Sequence, residues 1–515
     1  MMNNTQSTNV TTPRPARKGK GGGSVSRLFK DTAIYGMSSI IGRFLNYLLV
    51  PLYTHYMPTE SGDYGISTNV YAYTALILVL LTFGMETTLF RFANLPPTPS
   101  QGGGGDSHSE TNDSISPSLV GNWGDVVFST GFAWIAGLTA LFLLCIFGFI
   151  TPIAGTLGYA EHHNYLLMMA VVVAMDALQA LPFSYLRFQK RPIRFASLKL
   201  LFIFFNIALN LLFFVVLHKT SVFYVFVLNL ACTSLISLCF IPELFKIQWH
   251  FDWGLLKRML SYSWPILILG IAGNLNQVAD KIMFPLVYPD KAEANVQLGI
   301  YGGCVKIAMI MAMITQAFRY AYEPIVFAKA KDKDSTEYYA VAMKYFLIFT
   351  LLAFLCVMGY IDVLQLILGK GYREGMSVVP IVMVAEIMMG VYFNLSFWYK
   401  LIDKTIYGAW FSLAGCAVLL AVNYFFIPQY SYMACAWGGV AGYGTAMVLS
   451  YIVGQVKNPI PYPMKSIMVY VLMTALFYTA MHLTHEWHLA LRLLINSLLI
   501  LLFCAYVYWH EIRKR

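Results

Sequence analysis

Residues 260–286 read LSYSWPILILGIAGNLNQVADKIMFPL, a stretch that is long and apolar enough to cross a lipid bilayer as a helix. It nevertheless contains Asn274, Gln277, Asp280 and Lys281. A charge at the middle of a membrane costs about 2.5–3.5 kcal/mol on insertion scales, so such residues face one another or a water-filled cavity. Because Asn274, Gln277 and Lys281 recur at helical intervals, the stretch predicts a membrane helix with one polar face.

The rest of the chain repeats this apolar pattern. Of its 515 residues, 58% are hydrophobic and only 12% are charged, whereas soluble proteins carry about 25% charged residues. The long, unbroken apolar runs predict an all-α polytopic membrane protein with about 14 transmembrane helices, since barrel strands alternate over about ten residues. The predicted spans, numbered in chain order, are 31–56, 64–90, 126–151, 164–186, 195–217, 221–244, 260–286, 299–325, 338–360, 377–398, 405–427, 431–455, 465–483 and 487–509.

The positions of Lys and Arg predict the orientation in the membrane. With a cytoplasmic N-terminus, 24 of the 35 basic residues fall in inside segments, 4 in outside loops and 7 within spans. Cytoplasmic connections of membrane proteins carry an excess of Lys and Arg. Segments rich in Lys and Arg alternate strictly with segments poor in them along the chain. This alternation supports the span count and predicts that both termini are cytoplasmic.

A weak internal repeat predicts the domain organisation. Pro51-Leu52-Tyr53 recurs as Pro285-Leu286-Val287-Tyr288, and Gly65-Ile66 recurs as Gly299-Ile300, both at an offset of 234 residues. Each copy opens a block of six spans, as expected for a duplicated transporter whose substrate path lies between its halves. The predicted units are a disordered basic tail (1–28), an N-terminal lobe (29–250) with a flexible cytoplasmic insertion (93–124), a C-terminal lobe (251–456), and a peripheral pair of helices with a short basic C-terminus (457–515).

Several charged residues within spans are candidates for substrate binding. Arg43 lies about twelve residues into span 1, too deep to reach the membrane surface easily. A cation there suits a phosphate group, although an ion pair with Glu86 in span 2 is an alternative. Asp280 and Lys281 either line a cavity or mark the outer end of span 7. The predicted substrate-binding residues are Arg43, Asp280, Lys281, Lys306, Asn274 and Gln277.

For a second group of charged residues within spans, two roles are open: each residue either lines the cavity or couples transport to an ion, or it forms a structural ion pair or hydrogen bond. Arg319 and Glu323 are four residues apart in span 8, a spacing that favours a local salt bridge. Glu386 is an isolated acid in span 10, either a proton-coupling group or a hydrogen-bonded structural acid. The predicted cavity, coupling or ion-pair residues are Glu86, Asp176, Glu386, Arg319 and Glu323.

No motif in the chain indicates catalysis or a cofactor. The glycine run 102–105 lacks the Lys-Ser/Thr of a phosphate-binding loop. The histidines at 162, 163, 482, 485 and 488 have no Asp or Glu companion at a recognised metal spacing. We therefore expect a protein that is not an enzyme and that uses no cofactor, metal or nucleic acid.

Three further segments are informative: Phe29-Lys30-Asp31-Thr32 through Gly62-Asp63-Tyr64-Gly65, Tyr185-Leu186-Arg187-Phe188-Gln189-Lys190-Arg191-Pro192, and Gly299-Ile300-Tyr301 with Lys306-Ile307-Ala308. These segments resemble the bacterial polysaccharide and O-antigen flippase family of the multidrug/oligosaccharidyl-lipid/polysaccharide (MOP) exporter superfamily. The resemblance implies two six-helix lobes in a V shape around a cationic cavity. It also implies that Arg43 contacts the substrate, with Asp280 and Lys281 in the facing lobe.

The function implied is translocation of a polyprenyl-pyrophosphate-linked oligosaccharide across the bacterial cytoplasmic membrane by alternating access. Such a flippase serves surface polysaccharide biosynthesis, for example of lipopolysaccharide O-antigen, capsule or exopolysaccharide. Expected partners are the lipid-linked oligosaccharide, membrane lipid, an H⁺ or Na⁺ coupling ion and polysaccharide assembly proteins. The alternatives are a cation-coupled multidrug exporter of the same superfamily and a membrane glycosyltransferase or polymerase, for which no large outer loop is available.

Overall fold

The computed structural model describes residues 49–94, 123–329, 335–402 and 404–513. Within these ranges the chain is helical and contains no strand, and 13 helices are long and apolar enough to cross a membrane. The predicted all-α membrane fold with about 14 spans is confirmed. The tail 1–28, most of span 1 with Arg43, and most of the insertion 93–124 lie outside the described residues.

The helices match the predicted spans closely, and the span numbers are therefore kept. The last part of span 1 is Leu49–Tyr56, and spans 2 to 14 are Asp63–Thr82 with Met85–Ala93, Trp123–Leu157, His163–Phe188, Pro192–Leu211, Val222–Leu244, Trp253–Val287, Lys291–Lys329, Ser335–Gly359, Val378–Leu395, Ile406–Tyr430, Tyr432–Lys457, Met464–Leu483 and Leu489–Val507.

Span 2 is broken into two helices, a feature that hydropathy does not predict. Phe83 and Gly84 both adopt the left-handed conformation, with φ of 52° and 69°. The backbone N–H of Phe83 donates to the carbonyl of Val79 and ends the first helix. A Cβ on Gly84 would lie 3.0 Å from the Ile266 side chain. The break thus brings span 2 close to span 7.

Spans 11 and 12 pack through small residues. A Cβ on Gly415 would lie 2.6 Å from the carbonyl oxygen of Gly442, and a Cβ on Gly442 would lie 2.8 Å from the Cβ atom of Leu419. Gly442 belongs to the sequence Gly438-x-x-x-Gly442, and small residues at this spacing let membrane helices approach closely. This packing holds the C-terminal lobe together.

Spans 13 and 14 are fixed to span 9 by buried polar contacts. Lys344 Nζ in span 9 lies 2.6 Å from Glu511 Oε2 at the end of span 14. The Tyr470 hydroxyl in span 13 donates to the same carboxylate at 2.9 Å. Arg492 in span 14 pairs with Asp362, just after span 9. These ion pairs attach the last two spans to one side of the C-terminal lobe.

The two lobes meet closely at the predicted outer end. A Cβ on Gly65 in span 2 would overlap the backbone carbonyl of Asn295 in span 8, and a Cβ on Gly299 would lie 3.0 Å from Gly65 N. The Gly369 backbone N–H also donates to Thr54 Oγ1 at 3.2 Å. This seam of backbone contacts closes the predicted outer end.

The predicted inner half of span 7 packs against the N-terminal lobe. Leu255, Leu256 and Met259 are buried in the same cluster as Val127 of span 3. The hydroxyl oxygens of Thr88 and Ser263 lie 2.6 Å apart. Span 7 therefore contacts both lobes, and it can transmit a change in one lobe to the other.

The outer seam gives a first prediction. Gly65→Ala should lower the apparent Tm in detergent, because crowding against the Asn295 backbone costs about 1–3 kcal/mol and outweighs the gain of about 0.5–1 kcal/mol from alanine in a helix. Gly137→Ala is the matched control, since no atom lies within 4 Å of a Cβ there. Equal Tm values for the two variants would contradict the close contact.

Candidate central cavity

A cavity of about 520 Å³ lies between the two lobes. Spans 1 and 2 line it from the N-terminal lobe, and spans 7, 8, 10 and 12 line it from the C-terminal lobe. It extends from Tyr64 near the predicted outer seam to Arg319 and Phe393 in the predicted inner half. Its polar lining consists of Tyr53, Tyr64, Ser67, Thr68, Tyr71, Gln277, Lys281, Lys306, Thr315, Gln316, Arg319, Glu386 and Tyr443.

The charges that line the cavity are mostly positive. Among the described lining residues, Lys281, Lys306 and Arg319 are cations and Glu386 is an acid. Lys306 makes no hydrogen bond or ion pair within the part of the chain that the structure describes, although its side chain is largely enclosed. An ammonium without a counter-ion in such a place attracts anions.

Lys281 is held on the cavity wall by its neighbour in sequence. Its ammonium lies 3.0 Å and 3.1 Å from the two carboxylate oxygens of Asp280 and donates to the Gln277 carbonyl at 3.1 Å. The Tyr301 hydroxyl donates to Asp280 Oδ2 at 2.7 Å. Since the side chains of Lys281 and Asp280 are 21% and 12% exposed, this ion pair is mostly desolvated.

A second, smaller pocket of about 50 Å³ lies behind this wall, inside the C-terminal lobe. Asp280, Lys281 and Glu386 line it, and Lys281 and Glu386 also line the large cavity. Asn276 donates to the Ser412 carbonyl at 3.1 Å, but its buried Oδ1 has no partner among the described residues. The wall between the two spaces therefore concentrates polar groups with incomplete hydrogen bonding.

Arg319 lies at the inner part of the cavity, with its guanidinium 5.1 Å from the centre of the Phe393 ring. The side chain of Glu323, its predicted salt-bridge partner, lies outside the described residues. That salt bridge therefore stays a prediction. The cavity position of Arg319 fits a role in contacting a ligand as well as a structural one.

Other predicted residues do not line the described cavity. Glu86 forms an ion pair with Arg187 at 3.3 Å, and Ser184 donates to it at 3.1 Å. This pairing joins spans 2 and 4, so the described structure gives Glu86 a partner other than the one proposed from sequence. Asp176 is enclosed within the N-terminal lobe, and Asn274 donates to the Gly270 carbonyl at 3.2 Å. Arg43 lies outside the described residues.

Sequence reasoning missed the aromatic part of the site. Tyr64 and Tyr71 line the cavity from span 2, and Tyr53 and Tyr443 line it from spans 1 and 12. Tyr64 and Tyr71 are seven residues apart, so they share one helix face. That spacing is a signal that could have identified them, but tyrosine is common throughout this chain.

The Asp280–Lys281 pair gives a second prediction. Asp280→Ala should lower the free energy of unfolding by about 3 kcal/mol, because it leaves a largely desolvated ammonium without its partner. The double variant Asp280→Ala with Lys281→Met should lose less than half as much, since both charges are removed. The measurement is reversible unfolding in mixed detergent micelles. A double variant as unstable as the single one would argue against a paired, desolvated site.

Comparisons with known proteins agree with this architecture. Residues 122–377 match the family described as Polysaccharide biosynthesis protein. No curated protein sequence matches the chain significantly.

Solved structures share the fold at low sequence identity. The lipid II flippase MurJ, in an inward closed conformation, has a TM-score of 0.70 at 14% identity, covering 92% of this chain and 99% of its own. An inward-facing multidrug resistance MATE family transporter of the MOP superfamily has a TM-score of 0.60 at 13% identity, covering 81% and 94%. A mutant of the Vibrio cholerae MATE transporter VcmN has a TM-score of 0.52 at 13% identity, covering 84% and 96%.

These likenesses confirm the resemblance that the sequence motifs indicate. The solved structures are those of a flippase and of multidrug transporters, and this chain shares their fold. Residues 122–377 thus match the polysaccharide biosynthesis protein family, and the chain has the fold that the lipid II flippase MurJ shares with the MATE transporters of the MOP superfamily.

Proposed function

We propose that this protein moves a polyprenyl-pyrophosphate-linked oligosaccharide across the bacterial cytoplasmic membrane by alternating access. The observation that carries the proposal is the cationic cavity between the lobes, closed at the predicted outer end by the seam at Gly65 and Gly299. In this arrangement both termini are cytoplasmic and the headgroup enters from the cytoplasmic side. The product serves surface polysaccharide assembly, such as O-antigen, capsule or exopolysaccharide.

The charge of the cavity suits a pyrophosphate. Lys306 has no counter-ion among the described residues, and Lys281 is close enough to the same cavity to contact a bound anion. A pyrophosphate group brings several negative charges and many acceptor oxygens, which form strong charge-assisted hydrogen bonds with ammonium groups. A cationic drug would instead be repelled, because the described lining of the cavity holds three cations and one acid.

The neutral part of the lining suits sugars. Tyr53, Tyr64 and Tyr71 present aromatic rings from the N-terminal lobe, and Ser67 and Thr68 add hydroxyl groups. A tyrosine combines an apolar ring with a polar tip, and a sugar likewise has an apolar face and polar edges. Phosphate contacts on one lobe and sugar contacts on the other would place a headgroup across the lobe interface.

Glu386 is the proposed coupling residue. It lines both the large cavity and the small inner pocket, and it makes no hydrogen bond within the described part of the chain. A carboxylate in that position can exchange a proton or hold Na⁺ as the cavity changes access. Polysaccharide assembly proteins are further proposed partners on the two sides of the membrane.

Lys306 provides the test of substrate class. Lys306→Ala should lower the initial rate of flipping at least about tenfold, since one buried charge-assisted contact is worth about 1.5–3 kcal/mol, whereas Lys306→Arg should keep most of the rate. The assay follows a fluorescent polyprenyl-pyrophosphate-linked glycan in proteoliposomes. Lys457→Ala, which removes an exposed lysine outside the cavity lining, is the control.

Two results would count against the proposed substrate. The first is an unchanged rate in Lys306→Ala with correctly folded protein. The second is transport of a cationic dye such as rhodamine, without transport of the lipid-linked glycan, by the wild-type protein. The second result would instead favour the multidrug exporter.

Glu386 provides the test of coupling. In the wild-type protein, collapsing the proton and sodium gradients should slow flipping. Glu386→Gln keeps the size and hydrogen-bonding capacity of the side chain but removes its charge change, so its flipping rate should no longer depend on either gradient. Glu161→Gln, at an exposed site, serves as the control. A gradient dependence equal to that of the wild type would exclude Glu386 as the coupling group.

A further inference from the structure

Span 7 has a backbone carbonyl that its own helix cannot satisfy in the usual way. In an α-helix the N–H of each residue bonds the carbonyl four residues earlier. Pro285 lies inside the span 7 helix and has no N–H, so the carbonyl of Lys281 lacks its usual helical donor. A buried carbonyl without a partner is costly, and another donor is expected to take its place.

That donor comes from the other lobe. Asn69 Nδ2 in span 2 donates to the Lys281 carbonyl at 2.7 Å. The Tyr159 hydroxyl, in the connection between spans 3 and 4, donates to Asn69 Oδ1 at 2.7 Å and thereby orients the amide. Burial raises the pKa of Tyr159, so its hydroxyl keeps the proton that it donates at neutral pH. Asn69 is only 1% exposed.

The contact lies at the end of the molecule where the lobes are closed. Asn69 is six residues from the predicted outer end of span 2 at Asp63, and Lys281 is six residues from the predicted outer end of span 7 at Val287. The glycine seam at Gly65 is one helical turn away along span 2. Separation of the lobes at this end must break the bond from Asn69 to Lys281.

The same residue reaches the ligand cavity with its side chain. The Lys281 ammonium lines the cavity and is held by Asp280. Lys281 therefore joins two features that alternating access has to link, namely the occupancy of the cavity and the closure of the predicted outer end.

We propose that Asn69, oriented by Tyr159, holds the predicted outer end closed through its hydrogen bond to the Lys281 carbonyl, a contact that we call the latch. An anionic headgroup releases the latch by drawing the Lys281 ammonium away from Asp280. The release step rests on the proposed function, whereas the latch is a positioning role for Asn69 that holds whatever the substrate is.

The release step follows from the contacts. When the ammonium turns to a bound pyrophosphate, Asp280 keeps the Tyr301 hydroxyl but loses its counter-ion, and a desolvated carboxylate without a cation is unstable. Opening of the outer end admits water to Asp280 and to the Lys281 carbonyl. The loss of one ion pair and the hydration of two acceptors thus favour the same open state.

The chain offers a closely matched control for Asn69. Asn210, in the predicted outer half of span 5, is also 1% exposed. It likewise donates to a backbone carbonyl, that of Asn206 at 2.8 Å, and accepts from a tyrosine hydroxyl, that of Tyr53 at 2.9 Å. All of its partners lie within the N-terminal lobe. Asn69→Leu and Asn210→Leu therefore remove equivalent bonds that differ in whether they join the two lobes.

The experiment measures the distance between the lobes at the predicted outer end. Spin labels are attached at Glu161→Cys and Lys370→Cys, both exposed sites, in full-length protein whose eight native cysteines are replaced. Pulsed electron paramagnetic resonance then gives the distance distribution without ligand, with undecaprenyl pyrophosphate, and with neutral undecaprenol. Binding of each probe is measured separately by native mass spectrometry.

Without a probe, Asn69→Leu should raise the long-distance population at least threefold over the wild type, and Asn210→Leu should leave it unchanged. Tyr159→Phe and Pro285→Ala should shift it in the same direction as Asn69→Leu, the first by loosening the amide and the second by supplying a competing N–H. These two variants also serve if Asn69→Leu does not fold. A wild-type distribution in all the latch variants, or an equal shift in Asn210→Leu, would overturn the latch.

With undecaprenyl pyrophosphate, the wild type should shift toward the long distance, whereas neutral undecaprenol should have no effect. Lys281→Met should bind the pyrophosphate probe without the further shift that the probe causes in the wild type. An equal probe-induced shift in Lys281→Met would overturn the release step. Failure of the wild type to bind the probe would contradict the proposed function and the release step, while the latch is judged on the probe-free comparison.

Discussion

The structure depends on one constraint, namely that a charge inside the hydrocarbon of a membrane needs a partner or water. Two kinds of solution are present in the described residues. Lys344 with Glu511 and Arg492 with Asp362 are structural pairs that fix the last two spans. Lys306 in the central cavity has another solution, because it lines a polar space between the lobes. The distribution of charge thus separates the parts that hold the fold from the cavity to which we assign the ligand.

The fold could be predicted well from the sequence because hydrocarbon thickness sets the length of an apolar run, and each predicted span from 2 to 14 coincides with a helix whose ends differ by at most about eight residues. The break in span 2 could not be predicted in this way. Hydropathy carries no information on backbone conformation. The left-handed residues Phe83 and Gly84 lie where span 2 packs against span 7, a contact that only the tertiary structure shows. In the sequence, Gly65 stands out only as part of a repeat, although in the structure it sets how closely the lobes meet.

The candidate site could be predicted in part. Charges within apolar runs are easily recognised, but their partners depend on tertiary structure, as with Glu86 and Arg187, which are 101 residues apart. Asp280 and Lys281 are a particular case, since adjacent residues on a helix do not normally face each other. The long lysine side chain reaches back to its neighbour. Asn69 was not identified from the sequence because a neutral amide in a span carries no charge signal, and its role depends on a proline 216 residues away.

The glycine seam also has an electrical consequence. With the predicted orientation, the cavity brings a polar space from the cytoplasmic side close to the contact of Gly65 with span 8. The insulating part of the protein is then thin, and most of the transmembrane voltage falls across it. An elementary charge that crosses a full 100 mV changes energy by about 2.3 kcal/mol. Because Lys281 lies beside this thin layer, the movement of its ammonium in the proposed release step would carry charge through part of this voltage, and the membrane potential would then bias which side of the membrane the cavity faces.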